Sequence, residues 1–398
     1  MTGATQPTVL AERAASAPPP RWQVPLADVA IADEDIAAVV ETYRSGWLSM
    51  GPRTEAFEAA LAAYSGAPHA FAVANCTAAL HLLCLAAGLG PGDEVIVPSL
   101  TFVATANAVA YTGATPVFAE IAGLAAPWLD PASVEAAITE RTKAIMMMAY
   151  GGHPGSTIEL AAIAERHGLL LLEDAAHAIG TRLADGRQLG TIGAGGAFSF
   201  FSNKNLAIGE GGMVVCHDDE LAARVKLLRS HGMTTLSWDR HRGHASSYDV
   251  VALGCNYRID EARAALGTSR LPRLDRENAQ RQQHVVRYRE LLAGIDGVST
   301  ALPELPEATL AHHLFTVTVD RSVSRDAVRQ ALADRGVQTS MHYPPAHRFQ
   351  IYARSSADLP LTDEYAARTI TLPLYAQLSH EQIELVCESL RDAIGAHA

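Results

Sequence analysis

The sequence predicts an α/β protein with two parts, a larger domain built on a mostly parallel sheet with helices on both faces and a smaller α+β domain at the C-terminus. Strand-like and helix-like segments alternate through the first half of the chain, which is typical of parallel sheets. The segment Leu169–Leu172 is apolar at every position and suits a strand covered on both faces. With 398 residues, 48% of them apolar and 19% charged, the chain is long enough for two or three domains.

The domain limits follow from composition. We expect residues 1–23 to form a flexible leader, because this segment is rich in alanine and proline. Residues 24–268 are predicted to form the larger domain, and residues 269–398 the smaller one. A charged helical segment over residues 273–292 is predicted to link the two.

In the larger domain, helix and strand signals follow one another along the chain. A first helix begins with the acidic turn Asp33-Glu34-Asp35, which complements the helix dipole, and the glycines and proline of residues 46–52 interrupt the chain after it. Asp130 followed by Pro131 is a typical helix start. The other predicted helices open at Thr101 or span residues 54–64, 158–167 and 220–228. The predicted strands span residues 70–73, 94–98, 116–118, 143–148, 169–172 and 213–216.

The C-terminal third mixes strands and helices. Strands are predicted over residues 314–319 and 337–341, and Ser324 is predicted to cap the helix between them. Ser379 and Gln382 form a capping-box pattern that predicts the start of the last helix. The histidines within residues 342–347 have no further ligand at metal-binding spacing, so we predict no metal site.

Charge and composition exclude several classes of function. A formal net charge of -12 and a pI near 5.7 argue against nucleic-acid binding, because the phosphate backbone would be repelled. The apolar runs are too short and interrupted for a membrane span. Five scattered cysteines form neither a metal pattern nor a disulfide framework, and a reducing cytoplasm is the simplest location. No Gly-x-Gly-x-x-Gly motif opens a helix after a strand, which disfavours a dinucleotide site.

One lysine lies in apolar surroundings. Lys204 follows the β-favouring run Ala197–Phe201 and precedes Leu206-Ala207-Ile208, so its amine is expected to point inward. A partly desolvated amine loses its proton more easily and can then form a Schiff base with an aldehyde cofactor such as pyridoxal phosphate, PLP. A surface lysine in a glycine-rich loop is an equally valid interpretation of this stretch alone.

A carboxylate upstream favours the cofactor interpretation. Asp174 follows the predicted strand Leu169–Leu172, and the carboxyl ends of parallel strands are where α/β folds place ligands. An ionised carboxylate against the pyridine nitrogen of PLP keeps that nitrogen protonated, and the ring can then accept electrons. The two alanines after Asp174 leave room for a flat ring, although an isolated aspartate is often only a solvated loop acid.

A strand-to-helix junction lies near Thr77. Small residues before a helix that opens around Cys76 and Thr77 are typical of an anion site, because free amides and the positive end of the helix dipole converge there. The phosphate of the cofactor suits such a site. Taken alone, Thr77 is more simply interpreted as a helix N-cap.

Several motifs together resemble the DegT/DnrJ/StrS family of PLP-dependent sugar aminotransferases, which have the aspartate aminotransferase-like fold. The motifs are GWLS at 46–49, PSLTFVAT at 98–105, LEDAAHA at 172–178, FSF with KN over 198–205, GEGG at 209–212, NYR at 256–258 and HYP at 342–344. They occur in the family's order and cover nearly the whole chain beyond residue 24. This agreement is far more specific than any single motif.

The resemblance implies roles for individual residues. Lys204 would carry the cofactor and Asp174 would contact its pyridine nitrogen. Phe102 would stack on the ring and His177 would lie beside the ring oxygen. The phosphate would be held by Ser199, Thr77, the amide of Cys76, which stands where relatives usually carry glycine, and Asn256. The substrate would be contacted by Trp47, Ser49, Arg258 and Tyr343.

The implied function is transfer of an amino group from an amino acid, with L-glutamate favoured by family analogy, to a keto sugar, with a nucleotide-linked sugar favoured. A cyclitol aminotransferase needs the same catalytic residues and remains an alternative, as does a non-enzymatic regulatory relative of the same fold. The PLP-dependent sugar dehydratases of this family lack the Schiff-base lysine, so Lys204 argues against that activity.

The resemblance also implies a homodimer with shared active sites, in which Asn256 reaches the cofactor phosphate of the neighbouring chain. An asparagine amide donates to phosphate without adding charge, although Asn256 could equally cap a helix of its own chain. A separate irregular segment, residues 233–249, contains Trp238 together with basic side chains. We predict this segment as an anion-binding loop, with a solvated surface loop as the alternative.

Overall fold

The computed structural model describes residues 22–235, 247–355 and 357–397. Within these ranges, one sheet has seven strands and a second sheet has three. The strands of the larger sheet are β1 (His69–Val73), β2 (Glu94–Pro98), β3 (Thr115–Ala119), β4 (Thr142–Met148), β5 (Leu170–Asp174), β6 (Gly195–Ser199) and β7 (Gly212–Cys216). Their spatial order is β1-β7-β6-β5-β4-β2-β3. Strand β7 is antiparallel to both of its neighbours, and the other pairs are parallel, which confirms the predicted mostly parallel sheet.

Helices pack on both faces of the larger sheet. They are α1 (Asp33–Ser45), α2 (Pro52–Ser65), α3 (Cys76–Ala86), α4 (Ala104–Ala110), α5 (Pro131–Ala136), α6 (Thr157–His167), α7 (Asp219–Leu228) and α8 (Glu261–Arg270). Strand β4 shows why its sequence is apolar throughout. Ile145 and Met147 belong to one apolar core cluster, whereas Ala144 and Met146 belong to another, because alternate side chains of a strand point to opposite faces.

The C-terminal part packs around the three-stranded sheet. Its elements are α9 (Leu274–Leu292), β8 (Val298–Thr300), β9 (Phe315–Val319), α10 (Arg325–Asp334), α11 (Pro360–Arg368), β10 (Thr369–Leu372) and α12 (His380–His397). Single 3-10 turns are Tyr150–Gly152, Leu271–Arg273, Ala346–Arg348 and Gln350–Tyr352. Helix α9 contributes Val285, Tyr288 and Leu292 to the core of this part, in agreement with its apolar spacing. The domain limits given above remain predictions.

Local capping signals in the sequence are present in the structure. The carboxylate of Asp130 accepts from the amide of Ser133, and Pro131 is the first residue of α5. Ser324 caps α10 through the amide of Ala327. Before α12, the hydroxyl of Ser379 accepts from the amide of Gln382, and the Gln382 side chain accepts from the amide of Ser379. These contacts satisfy helix amides that would otherwise lack an acceptor.

Two predicted elements differ from the structure. Residues 337–341 do not form a strand, because their amides bond to different segments: the Gln338 amide donates to Val24 and the Ser340 amide to Thr371. The helix predicted to open at Thr101 begins later, at Ala104, since the Thr101 amide turns back to the carbonyl of Ser99. No helix in the described part of the chain is long and apolar enough to cross a membrane.

Candidate active site

The candidate site lies at the carboxyl edge of the larger sheet, where β5 ends at Asp174. The carboxylate is 3% exposed and accepts hydrogen bonds from the Thr105 hydroxyl at 2.7 Å and the Ala176 amide at 3.1 Å. Burial raises the pKa of Asp174, while these two hydrogen bonds and the nearby Lys204 act in the opposite direction. A positive group placed against this carboxylate would keep it ionised.

Lys204 lies on the turn that follows β6, with its amide bonded to the carbonyl of Phe201 at 2.8 Å. Burial lowers the pKa of the Lys204 amine to about 8, and Cys76 and Asp174 oppose that shift. The chain has three lysines, and the other two, Lys143 and Lys226, are exposed. The lowered pKa increases the neutral fraction of the Lys204 amine, the form that a nucleophilic or proton-accepting amine requires.

His177 and Tyr343 form a hydrogen-bonded pair beside this amine. The Gly151 amide donates to Nδ1 of His177 at 3.2 Å, and Nε2 of His177 lies 2.9 Å from the Tyr343 hydroxyl. Burial, and then the charge of Lys204, holds the pKa of His177 well below its usual range. Gly152 permits the close approach of these segments, because a Cβ there would lie 2.7 Å from the carbonyl oxygen of His177 and its φ is +88°.

The amine of Lys204 has a direct partner in His313. Nζ of Lys204 lies 3.3 Å from Nε2 of His313, and Nδ1 of His313 lies 3.0 Å from Oδ1 of Asn205. The imidazoles of His313 and His177 are 4.2 Å apart between ring centroids. Burial also holds the pKa of His313 well below its usual range, so the two rings surround the amine without adding positive charge.

An exposed aromatic ring completes this side of the site. Phe102 is 56% exposed, and its ring centroid is 6.0 Å from that of Tyr343. Most large apolar side chains in this protein are buried, so an exposed phenylalanine beside the His177–Tyr343 pair offers a face on which a flat ligand can stack. The stacking role of Phe102 remains a prediction.

The N-terminus of α3 forms the other side. Asn75, rather than Thr77, caps this helix, since its side chain accepts from the Ala78 amide at 2.9 Å. The amides of Cys76 and Thr77 donate to no protein acceptor within the ranges that the structure describes, and both residues are half-buried. Cys76 does not have a positive φ, so the residue does not need to be glycine for these amides to be presented.

Two neighbouring positions shape this helix terminus. A Cβ at Gly212 would lie within 2.7 Å of backbone atoms of Asn75 and Cys76, so only glycine allows β7 to pass this close. Ser199, at the end of β6, pairs with Gly212 in register and adjoins the same turn. The amides, the helix dipole and the hydroxyl therefore suit a phosphate group.

These residues fit PLP. A buried carboxylate, an amine with a lowered pKa and a half-buried helix N-terminus with free amides provide the three interactions that the cofactor needs, at its pyridine nitrogen, its aldehyde and its phosphate. The predicted cofactor residues Cys76, Thr77, Phe102, His177 and Ser199 lie beside Asp174 and Lys204 or next to residues that contact them.

Within the described residues, the remaining predicted residues have other neighbours. Trp47 packs on Gly51 at the start of α2, and Ser49 is exposed. Asn256 is exposed and pairs with Ser230. Arg258 pairs with Val73, three residues before Cys76, and burial and then Arg229 lower its pKa. In the predicted anion-binding segment, Trp238, Arg240, His241, Arg242 and His244 lie outside the described residues.

Sequence reasoning assigned no role to three residues of the site, namely Thr105, Asn205 and His313. Thr105 and Asn205 lie within quoted motifs, and their direct bonds to Asp174 and His313 explain why those positions are polar. His313 comes immediately before the buried strand β9, where a pair of histidines interrupts apolar sequence. That interruption was the available signal, but the partner of His313 is 109 positions away and no local pattern identifies it.

Comparisons with known proteins agree with this geometry. Residues 29–391 match the DegT/DnrJ/EryC1/StrS aminotransferase family. The chain is similar to the spore coat polysaccharide biosynthesis protein SpsC of Bacillus subtilis (strain 168), with 41% identity over 373 residues that cover 92% of this chain and 95% of the relative.

Two solved structures are similar along nearly their whole length. The aminotransferase TlmJ from Streptoalloteichus hindustanus superimposes with a TM-score of 0.88 at 34% identity, covering 94% of this chain and 99% of TlmJ. DesI, crystallised in the presence of its TDP-sugar product, superimposes with a TM-score of 0.84 at 34% identity, covering 94% of this chain and 93% of DesI.

Proposed function

The chain belongs to the DegT/DnrJ/EryC1/StrS family of PLP-dependent aminotransferases, and from this premise we propose that it transfers an amino group from L-glutamate to a keto sugar carried on a nucleotide. The observation that carries the proposal is the position of Lys204. Its amine, with a pKa lowered to about 8, lies beside a buried carboxylate in a site whose helix terminus suits a phosphate.

Each residue of the site has a proposed task. Lys204 would attach the cofactor and, once released, move a proton at the substrate carbon, a step that requires its neutral form. Bound PLP supplies an electron-accepting ring that stabilises the negative charge left when this proton is removed. Asp174 would hold the proton on the pyridine nitrogen, and Thr105 orients that carboxylate. The phosphate would be held by the amides of Cys76 and Thr77 and by the Ser199 hydroxyl.

The His177–Tyr343 pair would orient the reacting groups. The Gly151 amide can only donate, so Nδ1 of the neutral His177 is the acceptor and Nε2 carries the proton. That proton is donated to the Tyr343 oxygen, which leaves the hydroxyl hydrogen of Tyr343 free to donate to a ligand oxygen. With Phe102 on the same side, this arrangement would hold a flat ring and align its oxygen substituent.

The sugar substrate is supported by the relatives. SpsC is named for polysaccharide biosynthesis, and DesI was crystallised with a TDP-sugar product. Of the predicted substrate residues, Tyr343 lies within the site of the same chain. Trp47, Ser49 and Arg258 would reach substrate from the edge of the site, and Arg258 would provide the positive charge for a pyrophosphate.

A two-step spectroscopic experiment tests this function. The PLP-loaded protein is first converted with L-glutamate to its pyridoxamine form, which removes the visible absorption band. Nucleotide-linked keto sugars, free keto sugars and keto cyclitols are then added separately, and return of the band identifies the acceptor. We expect the nucleotide-linked sugars to restore it fastest, whereas restoration by a cyclitol alone, or by no carbonyl compound, would contradict the proposal.

We further propose a homodimer in which Asn256 reaches the phosphate site of the neighbouring chain. Asn256 is exposed, and its backbone pairs with that of Ser230. The residues before it present an apolar surface to solvent, with Val250 54%, Val251 59% and Leu253 98% exposed. A contiguous exposed apolar segment of this kind is typical of a protein interface.

Subunit complementation tests the shared site. Lys204→Ala chains and Asn256→Asp chains, each inactive alone, are mixed and allowed to exchange subunits. If Asn256 acts in the neighbouring site, a mixed dimer has one site with both changes and one with neither, so activity returns. If Asn256 acts in its own chain, each site keeps one change, and the absence of activity after demonstrated exchange rules out the shared site.

A further inference from the structure

We propose that His313 is a positioning residue for the amine of Lys204, and that a chain of amides holds it in the one tautomer that accepts a hydrogen bond from this amine. The inference rests on the role proposed for Lys204 above. It assigns His313 a function beyond filling space beneath the site.

Backbone carbonyls determine the orientation of both amide side chains. Asn278 Nδ2 lies 3.1 Å from the carbonyl oxygen of Ile179, and Asn205 Nδ2 lies 2.7 Å from the carbonyl oxygen of Ala311. A carbonyl oxygen only accepts, so each of these atoms is a nitrogen donor. Asn205 Nδ2 also donates to Asn278 Oδ1 at 2.7 Å, which agrees with both orientations.

The tautomer of His313 follows. With its nitrogen so placed, Asn205 presents Oδ1 to Nδ1 of His313 at 3.0 Å. This oxygen only accepts, so Nδ1 of His313 carries a proton. The imidazole is buried beside Lys204 and is neutral at physiological pH, so Nε2 has an unshared pair of electrons. Nζ of Lys204, at 3.3 Å, is the donor to that pair.

The neighbouring histidine shows that the arrangement is specific. His177 lies 4.2 Å from His313 and is also buried and neutral, but the Gly151 amide donates to its Nδ1, so its proton is on Nε2. The two rings therefore have opposite tautomers. Of these two rings, His313 is the one whose acceptor nitrogen lies against Lys204. The backbone amide of His313 also donates to the Gly151 carbonyl at 2.9 Å, which fixes the ring on the same turn.

This hydrogen bond has two consequences for the amine. It restrains Nζ to one place in the site, so that less rotational freedom is lost when the amine acts. It also stabilises the charged form of the amine, because a neutral acceptor binds an ammonium group more strongly than it binds a neutral amine. The hydrogen bond therefore offsets part of the lowering of the Lys204 pKa by burial. Removal of the acceptor would leave the amine less restrained and more easily deprotonated.

Competitive labelling of the cofactor-free, full-length protein with acetic anhydride tests this without catalysis. The pH at which Lys204 becomes half-reactive is measured by mass spectrometry, with the exposed Lys143 and Lys226 as internal references. The variants are His313→Leu, which removes the acceptor, and His313→Gln, which restores an acceptor oxygen. The matched control is His312→Gln, a change at the adjacent histidine, which bonds to Gln282 instead.

We expect His313→Leu to lower the midpoint of Lys204 by about one pH unit, and His313→Gln and His312→Gln to leave it close to that of the unchanged protein. An unchanged or raised midpoint in His313→Leu overturns the proposal, as does a His313→Gln midpoint equal to that of His313→Leu. Because no sugar is involved, a failure here is distinct from a failure to find an amino acceptor.

A second measurement does not depend on the folding of the leucine variant. In protein labelled with ¹⁵N-histidine, long-range nitrogen–proton correlation spectra distinguish the two neutral tautomers, and the His313→Gln spectrum identifies the signals of His313. We expect the proton on Nδ1 of His313 and on Nε2 of His177. A proton on Nε2 of His313 would contradict the proposal directly.

Discussion

Two hydrogen-bonding networks in this protein are each built on a buried histidine, and they differ in the groups that the histidine contacts. The lysine network comprises Lys204, His313, Asn205 and Asn278. The serine network comprises Ser99, His347 and Asp363, in which the Ser99 hydroxyl is 2.6 Å from Nδ1 of His347 and Nε2 of His347 is 3.5 Å from a carboxylate oxygen of Asp363. The order serine, histidine, carboxylate is that of a hydrolase triad.

Accessibility separates the two networks. Ser99 has no exposed surface, and its hydroxyl oxygen also accepts from the amide of His347. A hydroxyl enclosed in this way has no route to a substrate, so the serine network joins the end of β2 to the turn at Ala346–Arg348. The lysine network instead ends at an amine beside the buried carboxylate of Asp174. A buried histidine is therefore a candidate for a role in the site only where its network ends at a group that can react, as at Lys204.

The largest expected effect on activity is that of replacing Lys204. We expect Lys204→Ala to lower kcat by at least about 10³-fold, because both the attachment point and the proton carrier are lost. The protein should remain folded, and PLP should still bind loosely through the other contacts. Half-reaction rates with L-glutamate measure the effect, and rates near those of the unchanged protein would remove Lys204 from the mechanism.

The next largest effect is expected at Asp174. Asp174→Asn keeps the shape and the bond to Thr105 but removes the charge that holds the pyridine proton, so kcat should fall by about 10²-fold or more while PLP binding persists. Single-turnover kinetics separate the two properties. A loss below about threefold would mean that another group performs this task.

Ser99 provides the converse test. Ser99→Ala leaves buried polar atoms of His347 without a hydroxyl partner, so we expect a loss of about 1–3 kcal/mol in the free energy of unfolding. Activity of the folded fraction should stay within about threefold of that of the unchanged protein. Urea unfolding and kcat are measured on the same sample. A large loss of activity without a loss of stability would place Ser99 in the chemistry.

Acidification is expected to affect the two networks to different degrees. Burial lowers the pKa of both His313 and His347, but Lys204 lowers it further at His313, whereas Asp363 opposes the shift at His347. The unfolded chain takes up a proton below a pH of about 6.5 and the folded chain does not, so each histidine makes stability fall as the pH falls below that value.

Urea unfolding at pH 7.5 and 5.5 measures this difference. His313→Gln should reduce the acid-induced loss of stability by about 1.4 kcal/mol, and His347→Gln by less. Equal changes in the two variants would show that the charges next to the two histidines do not distinguish them.

Much of the fold and of the candidate site could be predicted from the sequence, but only where the sequence signal is local. Asp174 was identified because a buried strand ends there, and the α/β fold because apolar strands alternate with helices. The interval between Lys204 and His313 spans several helices and strands, so their contact depends on the tertiary fold. Thr77 illustrates a different limit, since the sequence suggested Thr77 as a helix N-cap and the side-chain geometry shows that Asn75 is the cap.

The fold of one chain does not establish the roles of the residues at the edge of the site. Asn256 and Arg258 were predicted from a motif, and one chain places neither of them against Lys204. The roles proposed for them involve a second subunit or the substrate, and neither can be derived from the sequence pattern of a single chain. They therefore remain predictions, whereas the cluster around Asp174 follows from the fold itself.

The most direct test of the central claim is to find where PLP attaches. The PLP-loaded protein is reduced with borohydride and digested, and the peptides are examined by mass spectrometry. Because the chain has three lysines, the assignment is unambiguous. We predict that the peptide containing Lys204 carries the reduced cofactor and that those containing Lys143 and Lys226 do not. Label on either exposed lysine, or on none of the three, would contradict the account.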